Sequence, residues 1–541
     1  MSKTSSRWPA VVVALVALVV MGRLCAMDFT WWDDNETIHH NPLLNPATWG
    51  TIGHYWTHAY MGLYVPVTYM VWTGLAAIAR LPSPDDYGIA LNPWVFHSAN
   101  VLVHLVNALI VYLILHRVVK RDWAAAAGAM VFAVHPVQVE AVAWVSGMKD
   151  LLCGMFVLLA VWQYLGFAES RHRGRYIGAL ICTAVATLCK PTAVVTPVLL
   201  AVLDRWVVGR SWREVGRGVW AFVLVVLPCV VWSKWVQQVG PRGPMWGRPI
   251  VAMDALAFYF WKLVWPGKLA VDYGRNPAYV LSQWWWRVTC MVPVVVGIVV
   301  WRGKWRLSWA GAGVFVGGLL PVLGLTPFMF QAFSTTADHY LYLPMLGVAL
   351  VVAGVVARWP TRGVGMAMGV VVGVLAIRSV VQAGYWEDDQ TLDRHTLAVN
   401  PQSGVAHVNL AAALEYQFKL TGKEAFRDQA VEHLRTAISL NVNATLAREN
   451  LATILIERGE IDEAIQLLIE GLAMADQLPD VERGNHAAPH YVLAAVLAKR
   501  GRYAEAAVQY RAALKDQPGN VQIQRDLAAV ERKSTTTRAS S

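Results

Sequence analysis

Eleven mainly apolar stretches fill most of the first 385 residues, at 8–27, 93–118, 123–142, 150–168, 176–190, 192–208, 218–236, 285–301, 308–325, 340–357 and 363–383. A membrane span needs about 20 such residues. Backbone placed in hydrocarbon must satisfy its own hydrogen bonds, so the predicted elements are helices. The whole chain of 541 residues is 56% hydrophobic and only 15% charged, against roughly 25% charged in an ordinary globular domain. A single soluble domain is excluded, and the expected fold class is all-α: a polytopic membrane domain with an attachment.

Charge locates that attachment. Residues 386–541 carry 17 Lys and Arg against 21 Asp and Glu, whereas residues 1–385 have a net charge of +14. The stretch 8–22 follows Lys3 and Arg7 and has no clean small-x-small site before Asp28, so it reads as an uncleaved first span with its N-terminus inside. Alternate connections are then cytoplasmic, and with the N-terminus they hold 17 Lys and Arg but only four acids, Asp122, Glu169, Asp204 and Glu214. That is the asymmetry the positive-inside rule requires. Counting 252–266 as a further span would place Arg302, Lys304 and Arg306 outside, so it reads as an interfacial or re-entrant helix within one long outer segment, 237–284. The stretch 64–80 reads the same way. An odd number of spans puts everything beyond Tyr385 outside.

Beyond Tyr385 the apolar periodicity becomes that of amphipathic helix pairs. Tyr491, Leu493, Ala494, Leu497, Gly501, Tyr503, Ala506, Tyr510, Ala513 and Pro518 match the tetratricopeptide template, with further copies anchored on Leu451 and Leu410. The predicted organisation is a membrane domain at 1–385, about three repeats forming a solenoid at 386–532, and a disordered tail at 533–541. The six cysteines all lie in or beside apolar segments, so no disulfide framework is implied. No basic stretch interleaved with aromatics supports nucleic-acid binding.

Polar residues at membrane depth mark function by default. The densest group is the first outer loop, with Asp28, Trp31, Trp32, Asp33, Asp34, Glu36, His39 and His40. Its adjacent carboxylates Asp33 and Asp34 suit a general base or a cation site, or an ordinary solvated turn. A second cluster is His135, Glu140, Trp144, Lys149 and Asp150, in which Glu140 and Lys149 either act at a site or pair at helix ends. Lys190 sits on the side that the charge bias disfavours and needs a lipid phosphate or a carboxylate as partner. A third cluster places Arg242, Arg248, Lys262, Lys268 and Arg275 with aromatics along 237–284. These residues clamp a lipid phosphate or snorkel to headgroups, the latter favoured for Lys262 and Lys268. The fourth is Asp338-His339 in Thr335–Pro344, where Asp338 is a site residue or an N-cap. No H-E-x-x-H or C-x-x-C spacing occurs. No metal ligand and no cofactor are therefore assigned.

Taken in order, these motifs carry a resemblance. Trp32-Asp33-Asp34 with Asn41-Pro42 is followed by Tyr64-x-Pro66, by Phe96-His97 with Asn100 and His104, and by His135-Pro136-x-x-x-Glu140-Ala141-Val142-Ala143-Trp144-Val145. Lys190-Pro191, Ala337-Asp338-His339-Tyr340-Leu341-Tyr342-Leu343-Pro344 and Tyr385-Trp386-x-Asp388 then run into the repeats. The chain resembles bacterial relatives of the transmembrane and tetratricopeptide-repeat (TMTC-like) O-mannosyltransferases of the GT-C glycosyltransferase superfamily. The resemblance implies a polyprenyl-phosphate-sugar donor, an outward-facing site and transfer to a protein Ser/Thr hydroxyl. It points to mannose while leaving the sugar open for bacterial members. An acidic residue of the first outer loop acts as base in that superfamily, which carries over to Asp33 or Asp34. The family often has Arg where this chain has His339, so Lys149, Lys190, Arg242 or Arg275 would have to hold the donor phosphate.

The expectation is thus an inverting membrane glycosyltransferase of a bacterial inner membrane, with a cytoplasmic N-terminus and periplasmic repeats that present a protein acceptor. The alternative is a non-enzymatic, membrane-anchored repeat scaffold for periplasmic partners. A transporter is disfavoured because the acids and bases cluster in loops rather than in helix middles.

Overall fold

The computed structural model describes residues 7–85, 88–236, 243–440, 444–475 and 486–540. These residues are helical, with three isolated β-bridges and no named strand among them. Two compact units emerge, Met1–His395 and Thr396–Ser541. The division falls inside the Asp389–Val399 helix, ten residues beyond the boundary expected at 385.

Each of the eleven apolar stretches becomes helical. Seven helices are long and apolar enough to cross a membrane: Trp8–Ala26, Pro93–Val119, Val145–Ser170, Pro191–Val208, Trp212–Ser233, Trp286–Gly303 and Arg362–Gly384. An eighth crossing is the pair Asp122–Val134 and Pro136–Ala143 if the two count as one span, bent by 53°. Arg173–Cys189, Arg306–Val322 and Met345–Arg358 are shorter, at 14 to 17 residues. Length and apolarity therefore support seven or eight crossings, and the other three helices reach their stretches without meeting that test. The two stretches set aside from the count form the helices Pro66–Ile78 and Arg248–Val264.

Local chemistry sets the helix ends. Proline occupies the first turn at Pro66, Pro93, Pro136, Pro191 and Pro277, where its missing N–H costs nothing. Three helices end on a basic residue in the left-handed region, Lys120 at φ 53°, Arg171 at φ 57° and Lys304 at φ 49°. Glycine would adopt that conformation without strain, but a cation there also faces the negative end of the helix dipole. All three belong to connections read as cytoplasmic.

Pro136 interrupts an apolar helix, and the carbonyls it releases are met by side chains from elsewhere. Val134 O accepts from Ser379 Oγ at 2.6 Å, Phe132 O from Gln138 Nε2 at 3.1 Å, and Ala133 O lies 2.9 Å from His104 Nε2. Asn100 Nδ2 donates to Val142 O and Trp144 O. The Asn100 and His104 positions of Pro93–Val119 are thereby explained, since they carry polar groups into the interior to serve a broken backbone, while His97 Nε2 lies 3.0 Å from Asp28 O of the first outer loop.

Small residues let the neighbouring helices touch. A Cβ on Gly347 would lie 2.3 Å from Gly311 O and 2.9 Å from Phe315 N, both backbone atoms. Such an approach is how helices pack where no hydrophobic force separates lipid from side chain.

The second unit comprises three helix pairs, Gly404–Thr421 with Glu424–Leu440, Ala444–Arg458 with Ile461–Ala475, and Ala487–Lys499 with Tyr503–Asp516. The anchors Leu410, Leu451 and Leu493 are buried in one continuous core. Gly422, Gly459 and Gly501, all at positive φ, close the first helix of each pair. The Val521–Ser540 helix follows the last pair and buries Ile523 and Val530 in the same core, capping the solenoid.

Gly347→Ala should lower the melting temperature of the detergent-solubilised protein, because overpacking costs about 1–3 kcal/mol. Gly365→Ala, where a Cβ meets nothing within 4 Å, should leave it unchanged or slightly higher. Equal melting of both variants and the parent would contradict the close crossing.

Candidate active site

The chain turns sharply after the first helix. Asp33 adopts φ 71°, in the left-handed region that non-glycine residues avoid. Thr37 holds the turn by donating its N–H and its hydroxyl to Asp33 O, at 2.8 and 2.7 Å. The turn points the two adjacent carboxylates in opposite directions. Asp34 is fully buried and accepts from Ser146 N at 2.8 Å, Thr30 Oγ1 at 3.1 Å and Thr30 N at 3.3 Å. The Asp33 side chain is 61% exposed, and its carboxylate lies 3.9 Å from Lys149 Nζ. Asp34 ties the loop to the segment after the break, and Asp33 is left facing outward from the fold.

Behind Asp33 stand two cations. Lys149 is buried, with its ammonium 5.3 Å from the Trp144 ring centroid. Trp144 in turn donates its indole N–H to Trp32 O. Lys190 Nζ donates to both oxygens of Asp150 at 2.7 Å and lies 5.9 Å from the Tyr340 ring. Of the partners expected for Lys190, the one present is the carboxylate. His339 completes the group: its Nδ1 pairs with a Glu140 oxygen, and its ring lies 5.5 Å from that of Trp144. Burial, and then the charges of Lys190 and Lys149, hold the His339 imidazole well below its ordinary range, so it sits there neutral. A pocket lined by Asp150, Cys153, Thr192, His339, Tyr340 and Pro344 opens beside these residues.

Asp33, Glu140, Lys149, Lys190 and His339 are therefore brought together, with Asp150 added. Asp338 lies next to Glu140, on the side away from Asp33, with its own partner. It is not an N-cap, and its carboxylate accepts from Tyr273 Oη at 2.8 Å. Burial pushes it up to about 7, against the opposing pull of Lys262 and that hydroxyl. Lys262, expected to snorkel, is buried and donates to the carbonyls of Gly267 and Lys268 at 2.9 and 2.8 Å. An ammonium carries three N–H donors, and here two of them serve the turn after its own helix. Arg275 is bound by Asp254 at 2.5 Å and lies between the Phe258 and Trp285 rings. Arg242 lies outside the described residues. Among the described residues no group of three or more His, Cys, Asp or Glu side chains is arranged to hold a metal.

Asp150 of the second cluster supplies the carboxylate that Lys190 needs; Ser146 and Thr37 are the site residues that the sequence does not single out. Ser146 and Thr37 carry no sequence signature, because one acts through its backbone N–H and the other through a local turn.

Burial raises Asp34 from 3.8 to about 6. The folded state therefore holds an extra proton between about pH 4 and 6, so this group's contribution to stability is greatest below pH 4 and falls as pH rises through 6. Asp34→Asn should flatten that part of the stability profile, while Asp34→Ala, which strands the Ser146 N–H, should cost about 1–3 kcal/mol at neutral pH. Thermal melts from pH 4 to 8 check both; parallel profiles for parent and Asp34→Asn would contradict the burial of a titrating acid.

The family model for dolichyl-phosphate-mannose-protein mannosyltransferases matches residues 90–235, and a tetratricopeptide-repeat model matches residues 442–518. Protein O-mannosyl-transferase TMTC4 of Homo sapiens is 26% identical over 487 residues, covering 75% of this chain and 64% of the relative. Protein O-mannosyl-transferase TMTC1 of Homo sapiens is 24% identical over 438 residues, covering 68% and 48%. Tmtc2 of Drosophila melanogaster is 30% identical over 236 residues, covering 39% and 25%. The chain spans less than two thirds of the length of these curated relatives. Part of the first unit thus matches the mannosyltransferase model, part of the second matches the repeat model, and the chain is similar over about three quarters of its length to a TMTC protein O-mannosyl-transferase.

Proposed function

We propose that this protein is a membrane mannosyltransferase that moves a sugar from a polyprenyl-phosphate donor to a Ser or Thr hydroxyl of a protein, on the outer face of a bacterial inner membrane. The observation that carries the reading is the exposed Asp33 carboxylate, held in a left-handed turn 3.9 Å from a buried lysine. A second lysine with its own carboxylate stands alongside. A base and a cation set at this spacing are what transfer from a phosphate leaving group needs.

The residues divide the work as follows. Asp33 takes the proton of the acceptor hydroxyl as its oxygen attacks the anomeric carbon. The bond from that carbon to the phosphate oxygen breaks, with inversion, and the charge of the departing polyprenyl phosphate develops beside Lys149 and Lys190. Lys149 pairs with Asp33 in the free protein and turns to the phosphate when donor is bound, which frees Asp33 to accept a proton. Asp34 stays a structural acceptor; its oxygens are already taken by Thr30 and Ser146. Glu140 and His339 form the floor that keeps Trp144, and through it Lys149, in place. The repeats hold the acceptor polypeptide.

A repeat scaffold would need no lysine buried opposite a strained carboxylate, since each is expensive to bury or to distort. Asp33→Asn should cut kcat for transfer from polyprenyl-phosphate mannose to a peptide by about 10²–10⁴-fold while changing the donor KM little. Lys149→Met should instead weaken donor binding as well. If Asp33→Asn keeps turnover within a few-fold of the parent in folded, purified protein, the scaffold reading moves ahead.

The orientation follows from the charge count. Cysteines introduced at 33 and 400 should react with a membrane-impermeant maleimide from the periplasmic side, and one at 302 only after the inner membrane is opened. Protection of residue 400 would overturn the topology.

A further inference from the structure

The first outer loop is gripped from a second direction that the reaction above does not use. Trp31 N donates to Asp389 Oδ1 at 2.6 Å, and Trp32 Nε1 donates to Asp393 Oδ1 at 3.2 Å. Both acids lie on the Asp389–Val399 helix, in the part that belongs to the first unit. Asp388 starts that helix by accepting from Thr391 N, and Trp386 is buried just ahead of it. Asp393 is completely buried, and its Oδ2 has no hydrogen-bond partner among the described residues.

One fully buried acid, Asp393, beside a half-buried one, Asp389, is a costly way to dock a helix. Apolar side chains would pack as well without desolvating a carboxyl group. What the acids add is direction: each reads one N–H of the two residues immediately before Asp33. The turn at Asp33 is strained and persists only if its neighbours over-determine it. The Trp144 indole on Trp32 O and the Thr37 groups on Asp33 O fix it from one side. Asp389 and Asp393 fix it from the other.

We infer that Asp389 and Asp393 are positioning residues that set the pose of the Asp33 carboxylate through Trp31 N–H and the Trp32 indole. This rests on Asp33 being the base. It makes the segment after the last membrane helix, 386–395, part of the wall of the transfer site rather than the start of the repeat domain. A misplacement of about 1 Å costs on the order of 10²-fold in rate when geometry limits the reaction.

The test uses full-length protein with Asp389→Ala, Asp393→Ala and the corresponding Asn variants, which keep an oxygen acceptor at Oδ1. Each Ala variant should lower kcat by about 10–100-fold with donor KM within about 2-fold of the parent, and each Asn variant should recover to within about 3-fold. Should an Ala variant fail to fold, Trp32→Phe removes the indole N–H while keeping an aromatic ring and should lower kcat in the same way. Its combination with Asp393→Asn should then add no further loss. Unchanged kcat in the Ala variants or in Trp32→Phe, or a loss that Asn does not restore, would overturn the inference. A parent that transfers no sugar, with Asp33→Asn indistinguishable from it, would instead overturn the role of Asp33. The positioning claim is then read from the rate at which an Asp33→Cys thiol reacts with a maleimide. Asp393→Ala should change that rate at least about 5-fold and Asp393→Asn should not; equal rates would again overturn it.

Discussion

A proline at position 136 sets the terms on which the first unit is built. It stops a helix in apolar surroundings, and an unpaired carbonyl there costs several kcal/mol. Ser379 from Arg362–Gly384 and His104 and Asn100 from Pro93–Val119 meet that cost, together with Gln138 of the break itself. The reward of the break is a run of short helical turns, 135–147, in which the Ser146 N–H reaches a group outside the run. Ser146 N serves Asp34, and with that bond the first outer loop is fastened to the break. Everything in the candidate site hangs from this pair of irregular segments.

Electrostatics then sorts like residues into unlike roles. Asp33 and Asp34 are neighbours in sequence, yet one is saturated with donors in the interior and the other is free beside a lysine. Lys149 and Lys190 are both withdrawn from bulk solvent, but Lys190 has a dedicated carboxylate in Asp150 while Lys149 shares the exposed Asp33. In the proposed reaction that asymmetry matters. The cation with the weaker partner is the one a phosphate can recruit, and recruiting it releases the base.

The sequence makes the membrane helices and the repeats legible because both rest on periodicity. Apolar run length marks the spans, and recurrent Leu410, Leu451 and Leu493 mark the repeats, whatever the tertiary contacts. The clusters of polar residues are legible too, since a lysine such as Lys190 on the acidic side of a membrane must have a reason. What cannot be read is direction. Nothing in the dipeptide Asp33-Asp34 says which carboxylate turns inward, because that depends on a φ of 71° fixed by Thr37 and on Ser146 more than a hundred residues away. Lys262 reads as an interfacial anchor by its aromatic neighbours, and only the return of the chain at Gly267 and Lys268 turns it inward. The same limit hides the grip of Asp389 and Asp393, since an acidic start to an amphipathic helix ordinarily signals nothing more than a favourable end for its dipole.

Transfer chemistry at the Asp33 cluster requires that a lipid-linked sugar place its phosphate between Lys149 and Lys190. The most direct measurement is photolabelling of the full-length protein in bilayers with polyprenyl-phosphate mannose carrying a diazirine on the isoprene next to the phosphate. Label should concentrate in peptides containing 144–153, 189–193 or 338–344 and disappear when unmodified donor is added in excess. Label spread along the lipid-facing helices without competition, or confined to the separate pocket formed by Gly243, Arg248, Pro277, Leu281, Gly324 and Gln331, would contradict it.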